Sequence, residues 1–297
     1  MIKLLRLGHA TFETPDLDKA IEHHTQIVGL WLVARERDRA FLATRTGQLA
    51  IEFVKAAEPK CAKLTFEVPA SADFAAIRRE LAGHGVSAEE KSDSTPGLSK
   101  VLSFQDPKGT TIELFREWSY VGNGQQVLGV GALKLGHVAF IVPEPRVITE
   151  FYGKVLGFRV SDWIGDFFVF MRCNADHHTV NFIRGDKVHM HHIAYELKDF
   201  AHLQSACDLL GQRKIPIAWG PVRLGPGHNV ATFHRDHDDW ITEFFAELDQ
   251  MKDEELGYFD PRPWHQDRPQ RPKTWESHQV AFIWGPAPSP DFLRRRP

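Results

Sequence analysis

The sequence is short of several things that would narrow its class at once. It has three cysteines in 297 residues, Cys61, Cys173 and Cys207, an odd number without paired spacing. Neither a disulfide framework nor a cysteine-rich zinc site is written in it. No run of about eighteen apolar residues offers a membrane span. From Met1 the chain passes straight into a strand pattern, without the apolar stretch and cleavage site of a secretory signal. A cytoplasmic protein with no membrane partner is expected. Positive charge is not in surplus either: 36 Lys and Arg against 39 Asp and Glu leave a formal net charge of −3. No nucleic-acid partner is therefore expected, because there is no basic field to hold one. At 42% hydrophobic the chain can bury one large core or two ordinary ones, and a small-molecule partner becomes the default.

What is present is repetition. Gly8-His9-Ala10-Thr11-Phe12 returns as Gly136-His137-Val138-Ala139-Phe140, and a proline-acidic turn and a helical stretch follow both copies. Those helices, predicted over Leu17 to Val28 and Val147 to Leu156, end at Gly29-Leu30 and Gly157-Phe158, as helix stop signals should. Each half divides again. Strand, helix and strands recur at Ala62 to Val68, Ser71 to Gly83 and Thr110 to Phe115, then at His192 to Leu197, Asp199 to Gly211 and Trp240 to Phe245. Four units result, closing on "IEFV", "IELF", "VNFI" and "TEFF", each short, alternating and rich in β-branched or aromatic residues.

These residues resemble the vicinal oxygen chelate (glyoxalase, bleomycin resistance, dioxygenase) superfamily and, within it, the type I extradiol ring-cleaving dioxygenases. The resemblance covers residues 1 to about 250. It implies an α+β fold of four βαβββ modules paired into two open barrels: an N-terminal domain over 1–125 without metal, and a C-terminal domain over 126–250 with the metal. A proline-rich arm over 251–297, containing "GYFDPRPWHQDRPQRPKTW", follows. Such a segment forms no regular helix or central strand, and Trp264 and Trp275 suggest that it packs over the body or a partner subunit. The terminal "RRRP" is expected to be a solvated end.

The repeat supplies a frame for single residues. Its opening strands place His9, Lys63, His137 and His192 in corresponding positions, and its closing strands do the same for Glu52, Glu113, Asn181 and Glu243. Successive strand residues face opposite ways, so His191 and His192 of "VHMHHIAYEL" cannot both face one interior from a regular strand. His192 is the ligand candidate; His191 and His189 are expected to turn away or to lie in the preceding loop. His137, His192 and Glu243 then form the two-histidine, one-carboxylate set of non-haem Fe(II) oxygenases, with the amide of Asn181 in a weak fourth position. In the N-terminal half the charged Lys63 has no lone pair to give and is expected to pair with Glu52 or Glu113.

The resemblance implies further roles. A proton-transferring histidine stands about fifteen residues before the second histidine ligand, which selects His177; its neighbour His178 has the opposite orientation if the strand has begun there. Leu224 stands where the family usually has a histidine, and Phe233 where it has a tyrosine. His228 and Asn229 could supply a replacement polar group, or sit in a solvated turn. Trp163, Phe167, Phe168 and Phe170 read as core or, on the inward side of their strand, as an aromatic wall suited to a flat ring, and Glu196 shares the His192 face. The implied activity is an Fe(II)-dependent extradiol dioxygenase, with Mn(II) able to serve, acting on an aromatic vicinal diol and O2, and a homo-oligomer is expected. Two other classes stand beside it: a non-redox isomerase or lyase of the glyoxalase type, which usually draws on four protein ligands, and a metal-free small-molecule-binding protein of the same fold.

Overall fold

A computed structural model describes residues 2–92, 95–122, 128–262, 267–276, 282–289 and 292. Trp264 and the terminal arginines lie outside the described residues. In the N-terminal half the strands are β1 (Arg6–Thr14), β2 (Trp31–Arg35), β3 (Arg39–Ala43), β4 (Leu49–Lys55), β5 (Lys60–Glu67), β6 (Glu89–Ser92), β7 (Lys100–Gln105) and β8 (Thr111–Phe115). The C-terminal half holds β9 (Lys134–Val142), β10 (Arg159–Ile164), β11 (Phe168–Arg172), β12 (Val180–Arg184), β13 (His189–Glu196), β14 (Ile217–Leu224), β15 (Val230–Arg235) and β16 (Ile241–Ala246). Among the described residues four α-helices join them: α1 (Leu17–His23), α2 (Phe74–Gly83), α3 (Pro145–Lys154) and α4 (Phe200–Gln212). The four βαβββ modules and the two mixed sheets expected from the repeat are thus present.

Local chemistry sets these boundaries. Asp16, Asp73 and Asp199 cap α1, α2 and α4 by accepting from the backbone N–H of Lys19, Ala75 and His202. Helix α1 is shorter than its sequence pattern suggests: it widens into a π turn over His24–Val28 and stops at Gly29, whose φ of 79° suits glycine.

Sheet topology follows from the modules. The first sheet runs β2-β3-β4-β1-β5-β8-β7-β6, and the same pattern in the second gives β10-β11-β12-β9-β13-β16-β15-β14. Opening strands pair antiparallel at each centre, and each opening strand also pairs in parallel with the closing strand of its own module. The arm adds β17 (Met251–Asp253), β18 (Tyr258–Phe259), β19 (Lys273–Trp275) and β20 (Phe282–Trp284). Strand β19 joins the β10 edge and β20 the β14 edge, so the proline-rich segment extends the sheet at its rims.

The repeat is visible in packing. A Cβ on Gly8 would run into the Phe115 ring, and one on Gly136 would meet the ring of Phe245 at 2.5 Å from Cε1. Both glycines let an aromatic ring of a closing strand cross an opening strand. The Phe245 ring continues onto His137, with centroids 5.2 Å apart. Gly136→Ala is expected to destabilise the protein by about 1–3 kcal/mol through overpacking, read from its denaturant unfolding midpoint.

The halves meet through aromatic and imidazole groups. Phe12 stacks edge-on against Trp240 at 4.9 Å, and His23 Nε2 lies 3.3 Å from His234 Nε2. Burial pushes His24 and His234 down to about 3, so both are neutral when folded, whereas unfolded imidazoles take up protons near 6.5. Below that value the unfolded state binds more protons. Stability is therefore complete above about pH 6.5 and falls as pH drops toward 3, by up to about 1.4 kcal/mol per pH unit for each histidine. Melting temperature is expected to fall steeply from pH 7 to pH 5, and less steeply in His234→Gln.

Candidate metal centre

Three neighbouring strands carry the site. Ala194 on β13 pairs with His137 of β9 on one side and with Glu243 of β16 on the other, and His192 is one pleat along the same strand. A small residue between the two ligand positions leaves the space they share open. His137 Nε2 lies 3.1 Å from His192 Nε2 and 3.1 Å from Glu243 Oε2, and His192 Nε2 lies 3.3 Å from that oxygen. All three side chains are buried, and their ligand atoms fall within 4.8 Å of one another. With bonds of about 2.1 Å, neighbouring ligands of an octahedral ion stand about 3.0 Å apart, so this triangle matches one octahedral face.

The donor chemistry also calls for a cation. His191 lies in the cavity wall with its Nε2–H donating to the Phe292 carbonyl at 3.2 Å, and its Nδ1 is 2.6 Å from His192 Nδ1. Since His191 spends its proton on the carbonyl, its Nδ1 accepts and His192 Nδ1 donates. The Nε2 of His192 is left as a bare lone pair aimed at a carboxylate. Burial, then the neighbouring imidazoles, push His192 well below the ordinary imidazole range, so protonation does not relieve the contact. A divalent ion does. Asn229 Nδ2 donates to the other carboxylate oxygen, Glu243 Oε1, at 3.0 Å and holds its orientation.

His191 departs from the strand-alternation expectation for a specific reason. Along β13, Met190 pairs with Phe140 and His192 with Ala139, so His191 is the extra residue of a β-bulge. The bulge breaks the strict two-residue alternation, and both histidines stay buried at the cavity. His189 lies at the strand start with its ring on the Lys187 carbonyl.

The two histidines before β12 are arranged opposite to the expectation. His178 lines the cavity and meets the His137 ring edge-on at 4.3 Å. His177 turns into the body, its Nε2 3.2 Å from Asp162 and its ring 5.0 Å from that of Phe259. The stretch after β16 decides this, because His177 N–H donates to the Asp249 carbonyl and Asp176 bridges to Gln250. Burial and three surrounding imidazoles push His178 well below its ordinary range.

The remaining candidates divide. Phe170, Asn181, Leu224 and Phe233 line the cavity, together with Phe167 and Phe168. Trp163 does not; its ring packs under Arg146. His228 is also outside the lining, its Nδ1 2.5 Å from Asp249, within a network that includes Gln270 and Arg262. Asn229 acts on Glu243 instead of reaching the cavity. Glu196 is remote, paired with Lys134 at 2.9 Å. Sequence reasoning missed Trp219 and Pro226, and Pro288 and Phe292 of the arm, all of which line the cavity. Periodicity carries no signal for the arm residues, since they lie past the last repeat.

The cavity holds about 150 Å³, and beyond the imidazoles, Glu243 and Asn181 its walls are apolar. In the N-terminal half the corresponding positions are filled differently. Lys63 Nζ lies 2.9 Å from Glu113 and 3.3 Å from Glu52, and Thr65, opposite Glu113 as Ala194 is opposite Glu243, contacts His9 at 3.3 Å.

Paired βαβββ modules with a facial two-histidine, one-carboxylate site define a class of metal-dependent protein. The family model of the Glyoxalase/Bleomycin resistance protein/Dioxygenase superfamily matches residues 6–114 and 134–244, and the chain belongs to that superfamily. A metapyrocatechase from Pseudomonas sp. (strain CF600) is 22% identical over 264 residues, 82% of this chain and 86% of that protein. The Mn(II)-bound glyoxalase from Novosphingobium aromaticivorans superposes with a TM-score of 0.85 at 22% identity, over 100% of this chain and 96% of that one. The 2,3-dioxygenase LapB from Pseudomonas sp. KL28 does so with 0.80 at 20% identity, over 94% and 100%.

His192→Ala and Glu243→Gln are each expected to lower divalent-metal affinity at least about 100-fold while the fold is retained; metal analysis after dialysis and a melting curve read both. Asn229→Ala, which frees the carboxylate, is expected to lose about tenfold.

Proposed function

We propose that the protein is a divalent-metal-dependent extradiol-type dioxygenase that opens the ring of a neutral aromatic vicinal diol with O2. The observation that carries this is the facial ligand triangle opening onto a small, apolar cavity that has an imidazole, His178, in its wall. His137, His192 and Glu243 are the residues that hold the metal, with Fe(II) the proposed ion and Mn(II) able to serve in the same set. When bound there, the ion supplies the Lewis acidity that eases deprotonation of the diol, and the redox partnership with dioxygen. The metapyrocatechase relative supports this activity, as does the weak fourth position at Asn181, since glyoxalase-type chemistry usually draws on four protein ligands.

The chain's own residues do the rest. Phe168 and Phe170, stacked 4.2 Å apart, form a flat wall with Phe167 for a ring, and Trp219, Phe233 and Phe292 form a second aromatic cluster in the lining. His178 is the group that takes a proton from the diol and returns it. The positions of Leu224 and Phe233 bring no hydrogen-bonding group to the cavity, which concentrates proton handling on His178. We assign the metal-holding role to residues 126–250 and a scaffolding role to 1–125, where Lys63 with its two glutamates occupies the space of an ion.

Charge decides the substrate class. No lysine or arginine lines the cavity among the described residues, so a carboxylate on the ring would be buried without a counter-ion. After anaerobic Fe(II) loading, catechol and alkyl catechols are expected to consume one O2 per diol and give a coloured ring-opened product. Carboxylated catechols are expected to fall at least about 100-fold in kcat/KM. Iron bound with no oxygen uptake across the panel would refute the activity, and preference for a carboxylated ring would refute the substrate class.

A further inference from the structure

One structural feature of the arm reaches the reacting groups without touching the cavity. Strand β19 lies parallel to β10 with Lys273 opposite Asp162. The buried Asp162 carboxylate accepts from the Lys273 backbone N–H at 2.8 Å through Oδ1, and from the Trp275 indole Nε1–H at 2.8 Å through Oδ2. The same Oδ2 lies 3.2 Å from His177 Nε2. His177 Nδ1 lies 3.0 Å from His178 Nδ1.

A carboxylate only accepts, so each link fixes the next. Asp162 requires the proton of His177 on Nε2. With His177 in its neutral form, Nδ1 offers a lone pair, which requires the proton of His178 on Nδ1. His178 Nε2 is left unprotonated, in the ring that lines the cavity. The pair is walled on its other side by the loop before β15, where a Cβ on Gly227 would lie 3.1 Å from His177 Nδ1 and 3.3 Å from His178 Cε1. The arm thus holds the carboxylate on which this proton order depends.

We propose that Trp275 is a positioning residue: by holding Asp162 through its indole N–H it sets the tautomers of His177 and His178, so that docking of the C-terminal arm completes the catalytic base. This rests on the role given to His178 above, and goes beyond it by tying that role to a segment outside both repeats. It also accounts for an arm that pairs with the β10 edge in register with Asp162, where a strand placed for stability alone needs no indole aimed at a buried carboxylate.

The test compares the parent with Trp275→Phe, which keeps the ring and deletes the donor, with Asp162→Asn, and with Thr274→Ala on the exposed side of β19 as control. In zinc-loaded protein, long-range 15N–1H correlation of the imidazoles is expected to show His178 protonated at Nδ1 in the parent and in Thr274→Ala. Both other variants should shift population to Nε2–H. In the iron enzyme their kcat is expected to fall about tenfold for Trp275→Phe and about 100-fold for Asp162→Asn, with KM within about threefold and metal content unchanged. Parent His178 protonated at Nε2 would overturn the proposal. So would an unchanged tautomer and kcat in Trp275→Phe, or an equal loss in Thr274→Ala, which would trace the effect to arm docking in general. Should Trp275→Phe fail to fold, Asp162→Asn carries the same expectations. If the parent turns over no diol, the activity assignment fails while the tautomer measurement still decides the positioning role.

Discussion

The site depends on one pairing register: Ala194 on β13 sits opposite His137 and Glu243 at once. This follows from module order, since two opening strands pair antiparallel and each closing strand pairs in parallel with its own opener. A slip of one residue between β13 and either neighbour would send a ligand to the opposite face of the sheet. The N-terminal sheet has the same register, with Thr65 opposite Glu113, yet a threonine and a lysine fill what an alanine and a histidine leave open. Three differences at equivalent positions, Thr65 for Ala194, Lys63 for His192 and Glu52 for Asn181, separate a candidate metal cavity from a salt-bridged core.

A second constraint orders the protons. Two pairs of adjacent histidines converge on the cavity, and in each the inner ring is paired through Nδ1 with its neighbour. His191 is fixed by the Phe292 carbonyl and His177 by the Asp162 carboxylate. In both pairs the outer acceptor favours a bare inner Nε2, one in the candidate ligand triangle and one in the ring proposed as the base. Both outer anchors involve the arm, through Phe292 directly and through Trp275 at Asp162. Since tautomers are a choice between forms of nearly equal energy, a single well-placed acceptor is enough to make it.

Much of this was legible in the amino-acid string. The four modules, the closing strands, His137, His192, Glu243, and the pairing of Lys63 with its two glutamates follow from aligning the chain with itself. The apolar cavity positions of Leu224 and Phe233 were legible too, as departures from the resembled pattern. What was misread shares one cause, namely side-chain direction at irregular backbone. His191 is a bulge residue, to which alternation does not apply. His177 and His178 precede β12, where a tertiary bridge to Gln250 sets the facing, and His228 sits at φ 49°, outside regular structure altogether.

The sequence by itself determined the module count, the strand equivalences and the three side chains that meet at the candidate metal centre, because these depend on local periodicity and duplication. Only the tertiary structure decided that His178 and not His177 lines the cavity, that His191 stays there beside His192, that Asn229 serves Glu243, that Phe292 lines the cavity and that Trp275 reaches Asp162. Those outcomes depend on contacts between segments far apart along the backbone. Such contacts are selected by the packing of the whole molecule and leave no periodic trace in the residues that make them.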